Sequence, residues 1–263
     1  MPYRINVPGG NAEIEQLIDL GALDAEFAET GSVAALMPDS VHPSQVARTL
    51  RLAHLSVTPA LGRDADSVWV LRPRPIHVGR IHIVPAETDP PPGSLRLLDT
   101  PAFGTGLHPT TALCLEWLDE ALASDPPDSV LDVGIGSGVL ALAALTLGVR
   151  RVHGIDIDDD PLSVAAENAR LNGLEQRLDL TSGGPDAVTG SWPLVLANVL
   201  AAPLIEMAPV LVRRLGHHGL LLLSGIPVSA ESDVSTAYQR LGLRLQRVMS
   251  RGGWVALILR ASW

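Results

Sequence analysis

The sequence is poor in cysteine and lacks lysine altogether. Its 263 residues include one cysteine, Cys114, and all 19 basic residues are arginine. One cysteine cannot form an intramolecular disulfide, and it excludes a metal site built from several cysteines. No apolar run reaches the ~18 residues that a membrane-spanning helix needs, and residues 1–4 do not begin the apolar stretch of a signal peptide. We therefore expect a cytoplasmic protein without membrane contact.

The chain is acidic, with 29 Asp and Glu residues and a net charge of −10. A protein that binds nucleic acid would show a basic patch, so we expect no direct contact with nucleic acid. The acidity favours solubility and could also attract a basic protein partner. Hydrophobic residues make up 46% of the chain, which is enough to bury a core, and we expect a monomer.

A glycine-rich turn follows an apolar stretch of the chain. Residues 130–133 predict a buried strand, and the turn after them has glycines at positions 134, 136 and 138, just before a helix. Glycines let backbone N–H groups approach a ligand closely, beside the positive end of the helix. A dinucleotide-binding turn has its third glycine at the position of Val139, and no lysine follows as in a P-loop. The turn therefore predicts a nucleotide-like ligand of another kind.

Two further features narrow the choice of ligand. A second strand, residues 152–157, carries Asp156 near its end, where a carboxylate can accept hydrogen bonds from both hydroxyls of a ribose. The loop 103–111 contains three threonines, two glycines and a histidine directly before a predicted helix. Threonine hydroxyls and free N–H groups at a helix start can hold a carboxylate or an amino group. Together these features favour S-adenosylmethionine over a purely structural turn.

Regular alternation of strands and helices after residue 130 predicts a parallel, doubly wound sheet. Within it, the apolar strand 193–199 carries the neutral amide of Asn198 at its end, where such sheets bind ligands. Asn198 could also simply terminate the strand, and a lone histidine such as His108 is more often structural than catalytic. The acidic run 158–160 could bind a metal ion, but carboxylates at a helix start usually stabilise the helix dipole, and we expect no metal.

The first 85 residues predict a separate small domain. Their β-α-β-β-α-β pattern suggests an α+β, ferredoxin-like sandwich, and they contain no recognisable chemistry. Residues 86–95 include three consecutive prolines and predict a semi-rigid linker, which leaves residues 96–263 as the larger domain. The small domain could be a structural appendage or a docking module.

Four phrases of this sequence resemble the PrmA-type ribosomal protein methyltransferases, whose target is protein eleven of the large ribosomal subunit. The chain reads F-G-T-G-L-H-P-T-T from Phe103, D-V-G-I-G-S-G-V-L-A from Asp132, G-I-D-I-D from Gly154 and N-V-L-A-A-P-L from Asn198. The first and last phrases are specific to this group among methyltransferases, and the similarity covers roughly residues 68–260. Two departures are Ile135 and Ala202, where the family often has Cys and Gly.

The resemblance implies a Rossmann-like, seven-stranded methyltransferase domain of class I and S-adenosylmethionine as the cofactor. It also implies that the small domain recognises the ribosomal protein. Carried over by position, the family's cofactor contacts fall on Thr111, Gly134, Asp156 and Asn198. Further candidates for cofactor binding come from the same phrases: Phe103, Thr105, Gly136 and Gly138. Asn198 and His108 are the candidates for catalysis.

Methyl transfer to an amine requires few catalytic groups, because the sulfonium of the cofactor already activates the methyl group. The carbonyl of an asparagine such as Asn198 can accept an N–H bond from a neutral amine and orient its lone pair. Three hypotheses follow: methylation of amino groups of the ribosomal protein, methylation of another protein or a small molecule by the same fold, and a non-catalytic interaction protein that retains the cofactor pocket.

Overall fold

The computed structural model describes residues 3–22, 24–28, 31–38, 40–59, 75–100 and 102–263, so residues 60–74 of the predicted small domain lie outside the described residues. The N-terminal part consists of β1 (Tyr3–Pro8), α1 (Asn11–Asp19), β2 (Asp24–Ala28), β3 (Ser32–Met37), α2 (Pro43–Thr49) and β4 (Val57–Pro59). Its strands pair antiparallel in the order β2-β3-β1-β4. Leu17 of α1 and Val46 of α2 pack into one core with the sheet. The β-α-β-β-α-β prediction is therefore confirmed for residues 3–59.

A second, three-stranded sheet follows, formed by β5 (Ile76–Val78), β6 (Ile81–Pro85) and β7 (Leu95–Leu97). β6 pairs antiparallel with β5 and parallel with β7. The side chains of Ile81, Ile83 and Leu95 are at most 2% exposed and belong to the core of the larger domain. The predicted linker 86–95 therefore connects two strands of one sheet, and residues 76–85, predicted to end the small domain, pack with the larger one. Proline content indicates a stiff connection but not which strands its two ends pair with.

The larger domain is built on a seven-stranded sheet. Its elements are α3 (Pro109–Ala121), β8 (Ser129–Val133), α4 (Val139–Thr146), β9 (Arg151–Asp156), α5 (Asp159–Leu171), β10 (Leu178–Ser182), β11 (Trp192–Asn198), α6 (Ala201–Arg213), β12 (Leu215–Pro227), α7 (Glu231–Gln239), β13 (Leu243–Arg251) and β14 (Trp254–Ala261). The strand order is β10-β9-β8-β11-β12-β14-β13, with the first five strands parallel and β14 antiparallel to both its neighbours. The predicted Rossmann-like sheet and its closing hairpin are confirmed.

The strand order places a crevice between two adjacent strands. From β8 the chain proceeds to β9 and β10 on one side of the sheet and then crosses to β11 on the other. Ligands of such sheets bind at this switch point, outside the carboxyl ends of the strands. Alternating side chains fill both faces: Val130 packs in the cluster with α3 and α4, and Leu131 packs in the cluster with α6 and α7.

Helix α4 follows the switch point and is buried from Val139 to Leu145. Because helices and sheet cover it on all sides, its sequence is apolar around the whole circumference rather than along one stripe. Among the described residues, no helix is both long and apolar enough to span a membrane.

The small domain packs on the larger one at Trp254. This side chain is 2% exposed and lies in the same apolar cluster as Leu17 and Ile18 of α1. A Cβ added to Gly253 would lie 3.0 Å from the end of the Ile18 side chain, so the turn before β14 approaches α1 closely. Trp254 is also the register partner of Pro227 at the carboxyl end of β12. The small domain therefore meets the same edge of the sheet that carries the crevice.

Candidate active site

The carboxyl ends of three neighbouring strands bring predicted site residues together. The sheet register pairs Val133, the last residue of β8, with Ile155 of β9 and with Ala197 of β11. Asp156 and Asn198 are the next residues along their strands, so they lie on either side of the turn that leaves β8. The sequence predicts where each strand ends, and parallel pairing places those ends at one edge.

The glycine turn after β8 depends on backbone conformations that other residues rarely adopt. Gly134, Gly136 and Gly138 have φ angles of +72°, +55° and +82°, in the left-handed region that favours glycine. A Cβ on Gly136 would lie 2.7 Å from the carbonyl oxygen of Phe103. The loop around Phe103 therefore rests directly on the turn, and a side chain at position 136 would displace it.

The N–H groups of this turn are already engaged within the protein. Residues 134–138 all donate backbone hydrogen bonds of 2.9–3.2 Å, to acceptors on Ile155, Asp156, Phe103 and Ile135. Strand β9, the loop around Phe103 and the turn itself use these donors, so the contact of the turn with a ligand stays a prediction. A phosphate needs such donors, so the turn favours a nucleoside ligand that carries no phosphate at this position.

Asp156 is half-buried and oriented by two backbone groups. Its Oδ2 accepts a hydrogen bond from the N–H of Gly136 and its Oδ1 accepts one from the N–H of Asp158, both at 3.2 Å. Each carboxylate oxygen can accept about two hydrogen bonds, so both retain capacity for a hydroxyl group. The sequence identifies the residue, whereas the structure shows how the turn fixes its orientation.

The loop of residues 102–108 is attached to the glycine turn through Ser137. The Ser137 hydroxyl donates to the carbonyl of Gly104 (2.5 Å), and the Ser137 N–H donates to the carbonyl of Phe103 (2.9 Å). Within the loop, Thr105 is buried and Phe103 is 40% exposed. Sequence reasoning missed the role of Ser137, although a hydroxyl between two glycines of the turn is a signal that could have revealed it.

His108 caps α3 and lies between two aromatic rings. Its Nδ1 accepts a hydrogen bond from the N–H of Thr110 (3.3 Å) and lies 2.8 Å from the Thr110 hydroxyl. The ring packs edge to face against Phe103 and Trp254, at centroid distances of 5.3 and 5.2 Å. Sequence reasoning did not assign Trp254 to the site, because the residue lies in the last strand of the chain and only the fold brings it to the loop.

Asn198 and Thr111 meet although 87 residues separate them in the sequence. The Nδ2 of Asn198 donates to the Thr111 hydroxyl at 3.3 Å, and Thr111 is fully buried near the start of α3. The Oδ1 of Asn198 is buried and accepts no hydrogen bond from the described part of the chain. One side of the amide is therefore fixed by Thr111, and the carbonyl side has hydrogen-bonding capacity that the described residues do not use.

Asp132 is a buried carboxyl in the otherwise apolar strand β8. It is 1% exposed, its Oδ2 has no hydrogen-bond partner among the described residues, and the Ala141 N–H donates to the carboxyl from the start of α4. Burial, together with the negative charge of Asp156, raises the pKa of this carboxyl to about 8, although the Ala141 N–H lowers it. Sequence reasoning assigned no role to Asp132; the signal was a single acid within the run V-L-D-V.

We expect Asp132→Asn to flatten the pH dependence of the stability of the ligand-free protein. The pKa in the folded protein is raised above the value of about 3.9 for an exposed aspartate, so the unfolded chain loses this proton first as the pH rises. This group should therefore lower the stability of the wild type progressively as the pH rises from about 4 to about 8. The variant should lack this decrease. Thermal unfolding midpoints at several pH values in this range test the expectation.

Asp128→Asn serves as the control, because Asp128 precedes the same strand but is 81% exposed. Its pH profile should follow that of the wild type. A profile for Asp132→Asn with the wild-type slope would show that the buried carboxyl does not control this pH dependence.

These features define the class of the protein. The turn from residue 134 to residue 138 has no free N–H donor for a phosphate. Two carboxyl groups lie beside it: Asp156 at the end of its strand, and the buried Asp132, which has an unpartnered oxygen. This combination matches a nucleoside that carries positive charge in place of phosphate. S-adenosylmethionine has this chemistry, and a Rossmann-like sheet completed by an antiparallel strand is the fold of the methyltransferases that use it.

Comparison with known proteins identifies the family within this class. The ribosomal protein L11 methyltransferase (PrmA) family matches residues 14–262, and the chain belongs to this family. A ribosomal protein L11 methyltransferase of Methylococcus capsulatus is 37% identical over 92% of this chain and 92% of its own length. One from Geobacter sulfurreducens is 44% identical over 77% of this chain and 69% of its own length.

A solved structure supports the same assignment. The ribosomal protein L11 methylase from Lactobacillus delbrueckii subsp. bulgaricus is 33% identical to this chain and superimposes with a TM-score of 0.63. The similarity covers 69% of this chain and 95% of that one. The predictions of the family, the fold class and S-adenosylmethionine as the cofactor are confirmed.

Proposed function

We propose that this chain transfers methyl groups from S-adenosylmethionine to amino groups of ribosomal protein L11, at lysine side chains or the N-terminal amine. The names of its relatives indicate the protein substrate. The choice of an amine rests on Asn198, whose buried Oδ1 accepts no hydrogen bond from the described residues. An amine N–H would satisfy this oxygen while Nδ2 keeps its bond to Thr111.

The residues at the crevice fit the cofactor. S-adenosylmethionine supplies a methyl group that its sulfonium charge already activates. Asp156 would accept the ribose hydroxyls, and the turn from Gly134 to Gly138 would lie against the nucleoside. Thr105, Thr111 and the Phe103 loop would cover the methionine end. Asp132, whose Oδ2 lacks a partner in the described protein, is largely protonated near neutral pH because burial raises its pKa to about 8. The positive charge of the cofactor would favour its ionised form.

The acceptor amine must enter as a neutral base, because only then does its nitrogen have a free lone pair. A lysine amine has a pKa of about 10.4 in water, and removal from water lowers it. The rings of Phe103, His108 and Trp254 form an aromatic wall beside α3 that would desolvate the amine. The Oδ1 of Asn198 would then accept one N–H and direct the lone pair toward the methyl group.

His108 remains a candidate for a supporting role in catalysis. Its Nδ1 already accepts the N–H of Thr110, so this nitrogen does not take a proton from the amine without loss of the helix cap. We propose that His108 contributes mainly by holding Phe103 and α3 in place.

We further propose that the small domain recognises the protein substrate, and that the enzyme works as a cytoplasmic monomer without direct nucleic-acid contact. Each residue assigned to the cofactor lies in the larger domain. The small domain packs around Trp254, and the Trp254 ring contacts His108 of the aromatic wall. A protein bound to the small domain would therefore lie close to the site of methyl transfer.

The decisive experiment combines labelled S-adenosylmethionine, purified L11 and fragments of the enzyme. We expect the full-length protein to methylate L11, with the modified amines identified by mass spectrometry. A fragment that starts at Pro75 retains β5, β6 and the larger domain, and we expect it to bind S-adenosylmethionine in calorimetry but to lose L11 methylation. A fragment that starts at Ser94 removes Ile81 and Ile83 from the core and should fail to fold, as circular dichroism would show.

Each alternative hypothesis has its own outcome in this experiment. Transfer to another protein of a cell extract, with L11 untouched, would identify a different substrate. Cofactor binding without transfer to any acceptor would identify a non-catalytic protein. A folded Pro75 fragment that methylates L11 at the full-length rate would refute the recognition role of the small domain.

A further inference from the structure

The C-terminal end of helix α5 holds the backbone of other segments through two asparagines one turn apart, one in its last turn and one directly after it. The carboxamide of Asn172 accepts the N–H of Arg96 and donates to the carbonyl of Arg96, both at 2.8 Å, as a neighbouring strand would. The Oδ1 of Asn168 accepts the N–H of Leu98 and its Nδ2 donates to the carbonyl of Ser137, both at 2.9 Å. Among the described residues, the Asn172 side chain thus binds only β7 and its own helix, whereas Asn168 links the segment after β7 to the glycine turn.

Asn168 acts on a residue that also holds the 102–108 loop. Ser137 donates to the carbonyls of Phe103 and Gly104, and it receives the Asn168 hydrogen bond on its own carbonyl. Asn168 is 0% exposed and Ser137 is 4% exposed. Because water cannot replace these bonds inside the protein, loss of one leaves an unpaired buried group, which is unfavourable.

The chain of contacts continues from the loop to Asn198. The ring of Phe103 packs against His108, and His108 caps the helix that carries Thr111. Thr111 in turn accepts the hydrogen bond of Asn198. Directly contacting groups therefore connect Ser137 to the amide that we assign to the acceptor amine.

We propose that Asn168 is a positioning residue for methyl transfer: through Ser137 it sets the height of the 102–108 loop above the glycine turn and thereby the placement of Asn198. This inference rests on the proposed role of Asn198 in amine methylation. Asn168 itself contacts neither substrate nor cofactor in this assignment.

The test compares Asn168→Leu with Asn172→Leu in the full-length protein. Leucine has the same branched arrangement of four side-chain heavy atoms as asparagine and forms neither hydrogen bond. We expect Asn168→Leu to lower kcat for L11 methylation by about 10-fold to 10²-fold, as for a misplacement of about 1 Å, with a change of less than threefold in the Kd of S-adenosylmethionine. Asn172→Leu releases β7 but not Ser137, and its kcat should stay within about threefold of the wild type.

Two further measurements separate positioning from general stability. Ser137→Ala removes the hydroxyl bond to Gly104 and the bond that the hydroxyl accepts from the Val139 N–H. It keeps the carbonyl that Asn168 binds and should lower kcat less than Asn168→Leu. The double variant should be no slower than Asn168→Leu alone, because both changes act through the same loop. Hydrogen exchange should also be faster at the amides of residues 102–108 in Asn168→Leu than in Asn172→Leu, and this readout does not depend on activity.

A conservative variant keeps the inference testable if Asn168→Leu does not fold. Asn168→Asp retains the acceptor for Leu98, and its protonated carboxyl can donate to Ser137 while its ionised form cannot. Its kcat relative to the wild type should therefore fall as the pH rises. Any one of three results would overturn the inference. They are equal kcat values for the two leucine variants, fully multiplicative effects of Ser137→Ala and Asn168→Leu, and a flat pH profile of kcat for Asn168→Asp relative to the wild type. A wild type that methylates no amine would instead refute the proposed function.

Discussion

Asn198→Ala is expected to lower the rate of L11 methylation by about 10²-fold or more, the typical effect of removing one preorganised hydrogen-bonding group at a reacting centre. The Nδ2 of Asn198 is bound to Thr111 and its Oδ1 is free of described partners, so the variant removes the one oxygen assigned to the amine. The Kd of S-adenosylmethionine should change much less than kcat. Single-turnover methylation with saturating cofactor measures the effect on the transfer step.

Two matched variants give this experiment its controls. Asn198→Asp keeps the shape but places a carboxylate beside the amine, which favours the protonated ammonium, so its rate should be low at neutral pH and recover at higher pH. Thr111→Ser keeps the hydroxyl that holds Asn198 and should remain close to the wild type. A parental rate in Asn198→Ala would remove Asn198 from the mechanism.

Gly136→Ala is expected to impair both cofactor binding and turnover, with kcat/KM lowered by about 10²-fold. The residue has a φ of +55°, and a Cβ there would lie 2.7 Å from the carbonyl oxygen of Phe103. That carbonyl also accepts the Ser137 N–H, so it cannot move without breaking the attachment of the 102–108 loop. Overlap of this kind costs about 1–3 kcal/mol, in addition to the strain of the left-handed conformation.

Gly173→Ala separates the overlap from the strain. Gly173 has a φ of +67°, and a Cβ there would meet nothing within 4 Å, so this variant should lose only the roughly 1–2 kcal/mol of a left-handed alanine. Thermal unfolding and calorimetry with S-adenosylmethionine compare the two proteins. If both variants lose equal stability and keep the parental kcat/KM, the contact between the turn and the loop does not control the site.

Local sequence patterns are sufficient to predict the candidate residues at the strand ends. Asp156 and Asn198 each follow an apolar strand, and the carboxyl ends of parallel strands form the binding edge of any such sheet. The hydrogen-bond roles of the same residues depend on orientations that no pattern contains. The glycine turn shows the difference: its position is evident from the sequence, whereas the engagement of its N–H groups by Ile155 and Phe103 requires the neighbouring strand and loop.

The sequence by itself determined the Rossmann-like class, the ferredoxin-like order of residues 3–59, the glycine turn and the family phrases, because these features arise from periodicity and spacing within short segments. The tertiary structure decided the rest. It assigned the hairpin 76–85 to the larger domain, brought Trp254 to His108, and connected Asn168 to the loop through Ser137. Each of these contacts joins residues that are far apart in the sequence, and the packing of the whole sheet, rather than any local preference, determines which of them meet.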